Sequence, residues 1–285
     1  MNVNKRNNYQ LTGSIHTLSL ISLPVTDREN LSYSKINANK LVGDLFSYDE
    51  FKTAFDTILG GAGIESYSLS RFDMRFDSFD PEHYRDYAKL NRYLISALAV
   101  TYNVQNCYDS RNLFSQKQLS VAIKNKRFEC ENYDKEAESG GRDPAYARLE
   151  LRSKCLTSND IEKQFHGWYT RLDKALKNLD KVHQRYNDEL ERIYKEEKDA
   201  FPVKFRSLTD FLIQYQNCIF CKVQMVDLLS RFDEVKNPEN RAKNHKKRYG
   251  IEYFSKMDVE YAVAEIKRAA EKFFKGTEMN LFEKS

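Results

Sequence analysis

Acidic side chains occur in three short segments of the sequence. The segments carry Asp73 and Asp77, then Glu129 and Glu131, then Glu150. Carboxylates that are brought together repel one another and favour a shared cation, and their hard oxygen atoms select magnesium or manganese. A divalent ion beside a phosphodiester polarises a phosphate oxygen and stabilises developing charge. If the three segments meet, the residue types indicate metal-assisted chemistry on phosphate, with Mg²⁺ or Mn²⁺ as the cofactor.

Basic side chains stand between these acidic residues. They are Arg71, Arg75, Lys135, Arg148 and Arg152. Guanidinium and ammonium groups bind phosphate oxygens, so the same surface could hold a nucleic-acid backbone. The alternative is a solvated sheet face in which opposite charges pair across strands, each pair contributing about 0.2–1 kcal/mol. The pattern fits both interpretations, because it does not show whether the faces converge.

Alternation of apolar and polar residues predicts that all three segments are β-strands. The apolar positions include Phe72, Met74 and Phe76 in the first segment and Ala147, Leu149 and Leu151 in the third. If the strands pair in one antiparallel sheet, the apolar side chains pack on helices. The acidic side chains then gather on the opposite face.

Helical periodicity dominates the rest of the chain. Apolar residues step by three or four over residues 161–194, as one long helix or two, and further helices are predicted at about 208–232 and 257–274. A helix over 48–59, a strand over 18–23 and a helix after Pro81 are also predicted. The predicted fold class is α+β. An antiparallel sheet domain with packed helices (residues 1–155) precedes a mostly helical region (156–285) that serves DNA binding or dimerisation.

Composition places the chain among folded globular proteins. It has 285 residues, of which 41% are hydrophobic and 31% charged, and its formal net charge of +4 is too small to prove a nucleic-acid partner. No apolar run is long enough to span a bilayer or to serve as a signal peptide, so we expect a cytoplasmic protein without a membrane partner. Cys218 and Cys221 form a C-x-x-C pair without a second pair of ligands, which favours buried thiols over zinc.

Three short motifs resemble a known series in their order and spacing. They are Arg71-Phe72-Asp73, then Tyr133-Asp134-Lys135 followed by Glu136, then Arg148-Leu149-Glu150-Leu151-Arg152. This series resembles that of rolling-circle replication initiators of the trans-acting plasmid type, which are related to conjugative relaxases and filamentous-phage replication initiation factors. The resemblance covers about residues 67–155, a third of the chain.

The resemblance implies a specific reaction. Such proteins bind an origin in single- or double-stranded DNA, and a tyrosine attacks a phosphate to leave a 5′-phosphotyrosine and a free 3′-OH. Tyr133 is the first candidate nucleophile and Tyr169 the second. The metal ligands implied are Asp73, Glu131 and Glu150. Arg71, Lys135, Arg148 and Arg152 are candidate DNA-binding residues.

The histidines limit the type of nicking enzyme. None of the five is part of the histidine-hydrophobe-histidine motif through which the other large class of nicking enzymes binds its metal. This leaves a nicking enzyme that binds its metal through carboxylates, or a protein without catalysis. A non-catalytic DNA-binding replication or maintenance protein on the same scaffold is therefore the alternative function. A host helicase is a further partner that the resemblance suggests.

A basic cluster lies between the last two predicted helices. Lys243, Lys246, Lys247 and Arg248 could contact the DNA backbone, and Tyr249 could stack on a base. A solvated loop is the alternative. The near-heptad spacing of residues 161–194 permits a coiled-coil homodimer, although packing within the chain is the simpler explanation.

Overall fold

A computed structural model of the protein describes most of the chain. The described residues are 9–15, 18–24, 35–37, 47–61, 63, 65–78, 82–104, 120–134, 140–142, 146–154, 156–198, 200 and 204–275. The chain divides into two compact units. The first contains residues 1–67 and 268–285, and the second contains residues 68–267. The predicted domain boundary at residue 155 falls inside the second unit.

The first unit contains a small sheet and a helix. Strands β1 (Tyr9–Ile15), β2 (Leu18–Pro24) and β3 (Lys35–Asn37) form an antiparallel sheet in the order β1-β2-β3. Helix α1 runs over Tyr48–Gly61. It begins with a capping box, in which the Glu50 amide donates to the Ser47 hydroxyl and the Ser47 amide donates to the Glu50 carboxylate. The predicted strand at 18–23 and helix at 48–59 are confirmed.

The second unit is built on a four-stranded antiparallel sheet. Its strands are β4 (Arg71–Ser78), β5 (Val121–Lys124), β6 (Phe128–Asp134) and β7 (Ala147–Lys154). The order β4-β7-β6-β5 places β7 between β4 and β6. The three acidic segments are strands, as the alternation predicted, and the structure shows that they are neighbours in one sheet.

Helices α2 (Tyr84–Thr101) and α3 (Ile161–Leu176) pack against the apolar face of this sheet. Helix α4 (Leu179–Lys198) follows α3 in the chain. Trp168 of α3 is fully buried. Its indole packs edge-to-face on Phe128 at 5.5 Å and donates to the Ser153 hydroxyl at 3.0 Å. Residues 161–194 therefore form two helices, and their apolar stripe is buried within the chain.

The remaining helices follow in short succession. They are α5 (Leu208–Gln214), a 3₁₀ turn (Gln216–Cys218), α6 (Lys222–Ser230), α7 (Pro238–Tyr249) and α8 (Lys256–Lys275). The predicted single helix over 208–232 is wrong, because the chain turns between Tyr215 and Cys221. The basic cluster lies on helix α7, so its interpretation as a loop is also wrong. An antiparallel sheet with packed helices followed by helices is an α+β fold, as predicted.

Two further observations concern the cysteines and the apolarity of the helices. Cys218 and Cys221 are buried and form no disulfide, which confirms the expectation of buried thiols. No helix among the described residues combines the length and the apolarity that a membrane crossing requires.

Candidate functional site

One face of the four-stranded sheet carries almost all of its charged side chains. The charged face consists of Arg71, Asp73, Arg75 and Asp77 on β4, Lys124 on β5, Glu129, Glu131 and Tyr133 on β6, and Arg148, Glu150, Arg152 and Lys154 on β7. Alternate residues of a strand point to opposite faces, and the register aligns these positions across the sheet. Six basic and five acidic side chains leave a formal excess of one positive charge.

Arg152 occupies the centre of this face. Its backbone lies opposite Asp73 on one neighbouring strand and Glu129 on the other. Its Nη1 atom is 2.5 Å from Glu129 Oε1 and 2.9 Å from Glu131 Oε2, and its Nη2 atom donates to Glu150 Oε2. We call Glu129, Glu131 and Glu150 the carboxylate cluster. One guanidinium therefore holds all three of its members.

Two members of the carboxylate cluster differ in their electrostatics. Glu131 lies directly opposite Glu150 in the register. Burial raises the pKa of Glu131, and the charges of Glu150 and Glu129 raise it further against the opposing effect of Arg152. Burial also acts to raise the pKa of Glu150, but hydrogen bonds from Tyr133 and Arg152 outweigh it and lower that pKa below its ordinary value. Glu150 therefore remains the ionised member of the pair as the pH falls.

Tyr133 lies beside the carboxylate cluster. Its hydroxyl donates to Glu150 Oε1 at 2.5 Å, and the Arg148 guanidinium is 6.0 Å from the centre of its ring. Burial and the hydrogen bond to Glu150 raise the pKa of the Tyr133 phenol well above its ordinary value. The phenol is therefore protonated at neutral pH, with an ionised carboxylate within hydrogen-bonding distance of its proton.

Two further arginines of the charged face are held by aspartates. Arg148 donates to both oxygens of Asp77, at 2.6 and 2.8 Å. Arg71 donates to both oxygens of Asp73, at 2.7 and 2.5 Å, and Asp73 lies 4.0 Å from the Arg152 guanidinium. Bidentate pairs of this kind fix the orientation of the guanidinium as well as its charge.

Tyr169, the second candidate nucleophile, lies elsewhere. It is on α3, which packs against the apolar face of the sheet through contacts such as Phe72 with Phe165. Its hydroxyl donates to the Lys267 carbonyl at 3.3 Å. The structure therefore places Tyr133, and not Tyr169, on the face that carries Glu150.

The other predicted DNA-binding residues fall in two groups. Lys135 lies outside the described residues. Lys243, Lys246, Lys247 and Arg248 are exposed on α7. Lys246 is 3.3 Å from Glu252, and the Arg248 guanidinium is 5.9 Å from the Tyr249 ring centre. These four residues form a second basic surface on the helical part of the chain.

The residues predicted to bind a metal ion are already engaged by groups of the chain. Glu150 contacts Tyr133 through one oxygen and Arg152 through the other, and Arg152 also contacts Glu131. Within the described residues, no three His, Cys, Asp or Glu side chains are grouped as metal ligands. As these side chains stand, they do not fit a divalent cation, and metal binding stays a prediction.

Sequence reasoning missed two parts of this site. Glu129 was recognised as part of the acidic pattern but was not assigned to the site, and Arg152 was assigned to phosphate when it contacts carboxylates. The alternation placed both residues on the correct face. Only the register shows that they lie opposite each other.

Comparisons with protein-family models, with curated proteins and with solved structures find no match to this chain. The resemblance to replication initiators therefore depends on the three motifs alone.

Proposed function

We propose that this protein binds a replication origin and nicks one DNA strand through attack by Tyr133. The observation that supports this proposal is the 2.5 Å hydrogen bond from the Tyr133 hydroxyl to Glu150. This bond joins two of the three resembling motifs, and the third lies on the adjacent strand β4 of the same sheet. A nucleophile within reach of a proton acceptor, which a third group orients, is a recurrent arrangement for covalent catalysis.

The proposed step forms one bond to phosphorus, breaks another and includes two proton transfers. The Tyr133 hydroxyl gives its proton to Glu150 Oε1 as its oxygen forms a bond to phosphorus. The bond from phosphorus to the 3′-oxygen breaks, and that oxygen keeps the electron pair and takes a proton from water. The products are a 5′-phosphotyrosine and a free 3′-OH. Arg152 orients Glu150 by binding its other oxygen.

DNA binding is proposed on two surfaces. The charged face has a formal excess of one positive charge, so its acidic residues do not make it repulsive to phosphate as a whole. Helix α7 presents Lys243, Lys247 and Arg248 to solvent. Contacts of this type release counterions, so binding should weaken steeply as the salt concentration rises.

The test is a nicking assay on supercoiled DNA of the replicon that carries this gene. Mg²⁺, Mn²⁺ or a chelator is added, since the resemblance implies a divalent cation. We expect nicked circles and a protein–DNA adduct that survives denaturation. Tyr133→Phe should abolish the adduct, and Tyr169→Phe is the matched control that should keep it. Absence of nicked product under all three conditions would refute the proposal.

A non-catalytic DNA-binding protein for replication or maintenance is the second candidate. The observation that favours it is the neutralisation of each carboxylate of the charged face by a cation of the chain itself. This function predicts salt-sensitive origin binding that Tyr133→Phe leaves unchanged, with no cleaved strand. The same assay, run beside a binding measurement, separates the two candidates.

A further inference from the structure

We propose that the Arg152 guanidinium is the resident cation of the carboxylate cluster, so that the cluster binds no divalent cation while Arg152 is in place. The inference concerns the site of the proposed nicking reaction and extends that proposal. Its test measures metal binding instead of strand cleavage, so the two proposals can fail separately.

The position of Arg152 follows from the backbone. Strand β7 lies between β4 and β6, and Arg152 is the β7 residue that faces Asp73 on one side and Glu129 on the other. A guanidinium there reaches acidic residues of both neighbours and Glu150 of its own strand. The sheet register therefore brings the Arg152 side chain within reach of all three members of the carboxylate cluster.

The guanidinium N–H groups contact the carboxylate oxygens that a metal ion would need as ligands. Its planar fork presents five N–H groups at fixed angles. Nη1 is shared by Glu129 and Glu131, and Nη2 binds Glu150. The side chains of Arg152 and the carboxylate cluster are only 14–23% exposed, so solvent screens these contacts incompletely.

A divalent cation would compete for the same oxygen atoms. Mg²⁺ requires close to octahedral oxygen ligands at about 2.0–2.1 Å, and a fixed guanidinium on those oxygens repels a second cation. Lys154 adds a further positive charge 3.5 Å from Glu129. Two positive charges of the chain therefore already act on the three carboxylates without a metal ion.

Arg152 also determines which oxygen of Glu150 is open to Tyr133. It holds Oε2, and the Tyr133 hydroxyl donates to Oε1. A metal ion bound to Glu150 would compete with one of these two contacts. Occupancy of the cluster by Arg152 therefore preserves the alignment of nucleophile and proton acceptor.

The experiment is a titration of the full chain with Mn²⁺, followed by the loss of the free-ion signal in electron paramagnetic resonance. Wild type is expected to show no saturable site at the cluster. Arg152→Gln removes the charge and frees the carboxylates, and it should show one saturable Mn²⁺ site that binds roughly 10–100-fold more tightly than any residual binding by wild type, the range in which neighbouring groups alter metal affinity. Adding Glu131→Gln to this variant should remove the new site.

Arg75→Gln is the matched control. Arg75 lies opposite Glu150 in the register, but its side chain is 59% exposed and pairs with Asp77 at 3.9 Å. Its removal deletes the same charge from the same face without freeing the cluster, so Mn²⁺ binding should stay at the wild-type level. An equal gain in both arginine variants would overturn the proposal, because net charge alone would then explain it.

Two further results would contradict the inference. A saturable Mn²⁺ site in wild type that Glu131→Gln or Glu150→Gln removes would overturn the inference. Should Arg152→Gln fail to fold, Arg152→Lys keeps the charge on a single ammonium that cannot hold three carboxylates. It should gain weaker Mn²⁺ binding, and a folded Arg152→Lys without that gain would also contradict the inference.

Discussion

Tyr133 and Glu150 form the contact on which the proposed chemistry depends. Glu150→Gln keeps a hydrogen-bond acceptor for the phenol but cannot take up its proton. We expect the rate of adduct formation in a single turnover to fall by roughly 10²–10⁴-fold, the usual contribution of a general base. Glu129→Gln is the control, because Glu129 shares Arg152 with Glu150 while its own hydrogen bonds and ion pairs are with Arg152 and Lys154. DNA affinity should be unchanged in both variants.

Equal rates for Glu150→Gln and wild type would remove Glu150 from the proton transfer. A similar loss in Glu129→Gln would instead indicate that the carboxylate cluster acts as a whole. Origin nicking itself would stand in either case.

His245 predicts a pH-dependent stability. It is buried on α7, and within the described part of the chain neither of its ring nitrogens has a hydrogen-bond partner. Burial, with a smaller effect of Arg241, lowers the pKa of His245 from 6.5 to about 4. The unfolded chain therefore binds this proton first as the pH falls, so the free energy of unfolding decreases between pH 6.5 and about 4.

His245→Leu should remove this pH-dependent decrease in the free energy of unfolding. At pH 5 the decrease is about 2 kcal/mol, and it is absent above pH 7. Urea denaturation at several pH values measures it, with the exposed His166→Gln as the control. If the free energy of unfolding of His245→Leu falls with pH as steeply as that of wild type, another group causes the pH dependence.

For the residues around the Tyr133–Glu150 contact, the sequence predicted the face of the sheet but not the contacting partners. Alternation placed Glu131, Tyr133, Glu150 and Arg152 on one side of their strands. The contacts between them depend on the register of β6 with β7, and a shift of one residue would separate them. Alternation alone does not distinguish registers that differ by two residues, so the sequence could not show that Arg152 contacts carboxylates.

Helix α7 is the element that should carry much of the non-specific DNA affinity. Lys243 and Lys247 are four residues apart, so they lie on the same side of the helix, and both are exposed. Replacing each with Gln should reduce the slope of log affinity against log salt by about one per residue. Fluorescence anisotropy at several salt concentrations measures the slope. Lys181→Gln, an exposed lysine on α4, is the control and should leave it unchanged.

An unchanged slope in the double α7 variant would place the DNA backbone elsewhere, with the charged face as the next candidate.

The start of α7 shows why a turn and the start of a helix are difficult to distinguish in a sequence. The run Asn237-Pro238-Glu239-Asn240 has the composition of a turn. In the structure Asn237 caps the helix by accepting from the Asn240 amide, Pro238 is in the first turn, and Gly250 ends the helix with a φ of 61°. Turns and helix N-termini favour the same residues, because both need side-chain acceptors for free backbone amides.

The fold class was predictable because periodicity is a property of long segments. Strands with a period of two, followed by helices with a period near 3.6, define α+β whatever their exact bounds. The division of the chain was not predictable in the same way. Residues 268–285 belong to the same unit as residues 1–67, and contacts between segments so far apart leave no local pattern.

The two compact units predict separate unfolding transitions. Trp168 is the only tryptophan of the chain, and it is buried in the second unit between α3 and the sheet. Its fluorescence therefore reports the unfolding of that unit alone, whereas far-ultraviolet circular dichroism reports both. Because each unit has its own set of internal contacts, we expect the two signals to give different midpoints in urea.

A fragment of residues 68–275, which retains the whole of α8, provides the control for this assignment. Its Trp168 transition should have the same midpoint as that of the full chain, because the packing around the indole lies within the second unit. Its circular dichroism should then coincide with its fluorescence. Coincident signals in the full chain, together with a fragment that does not unfold cooperatively, would mean that the two units fold as one cooperative structure.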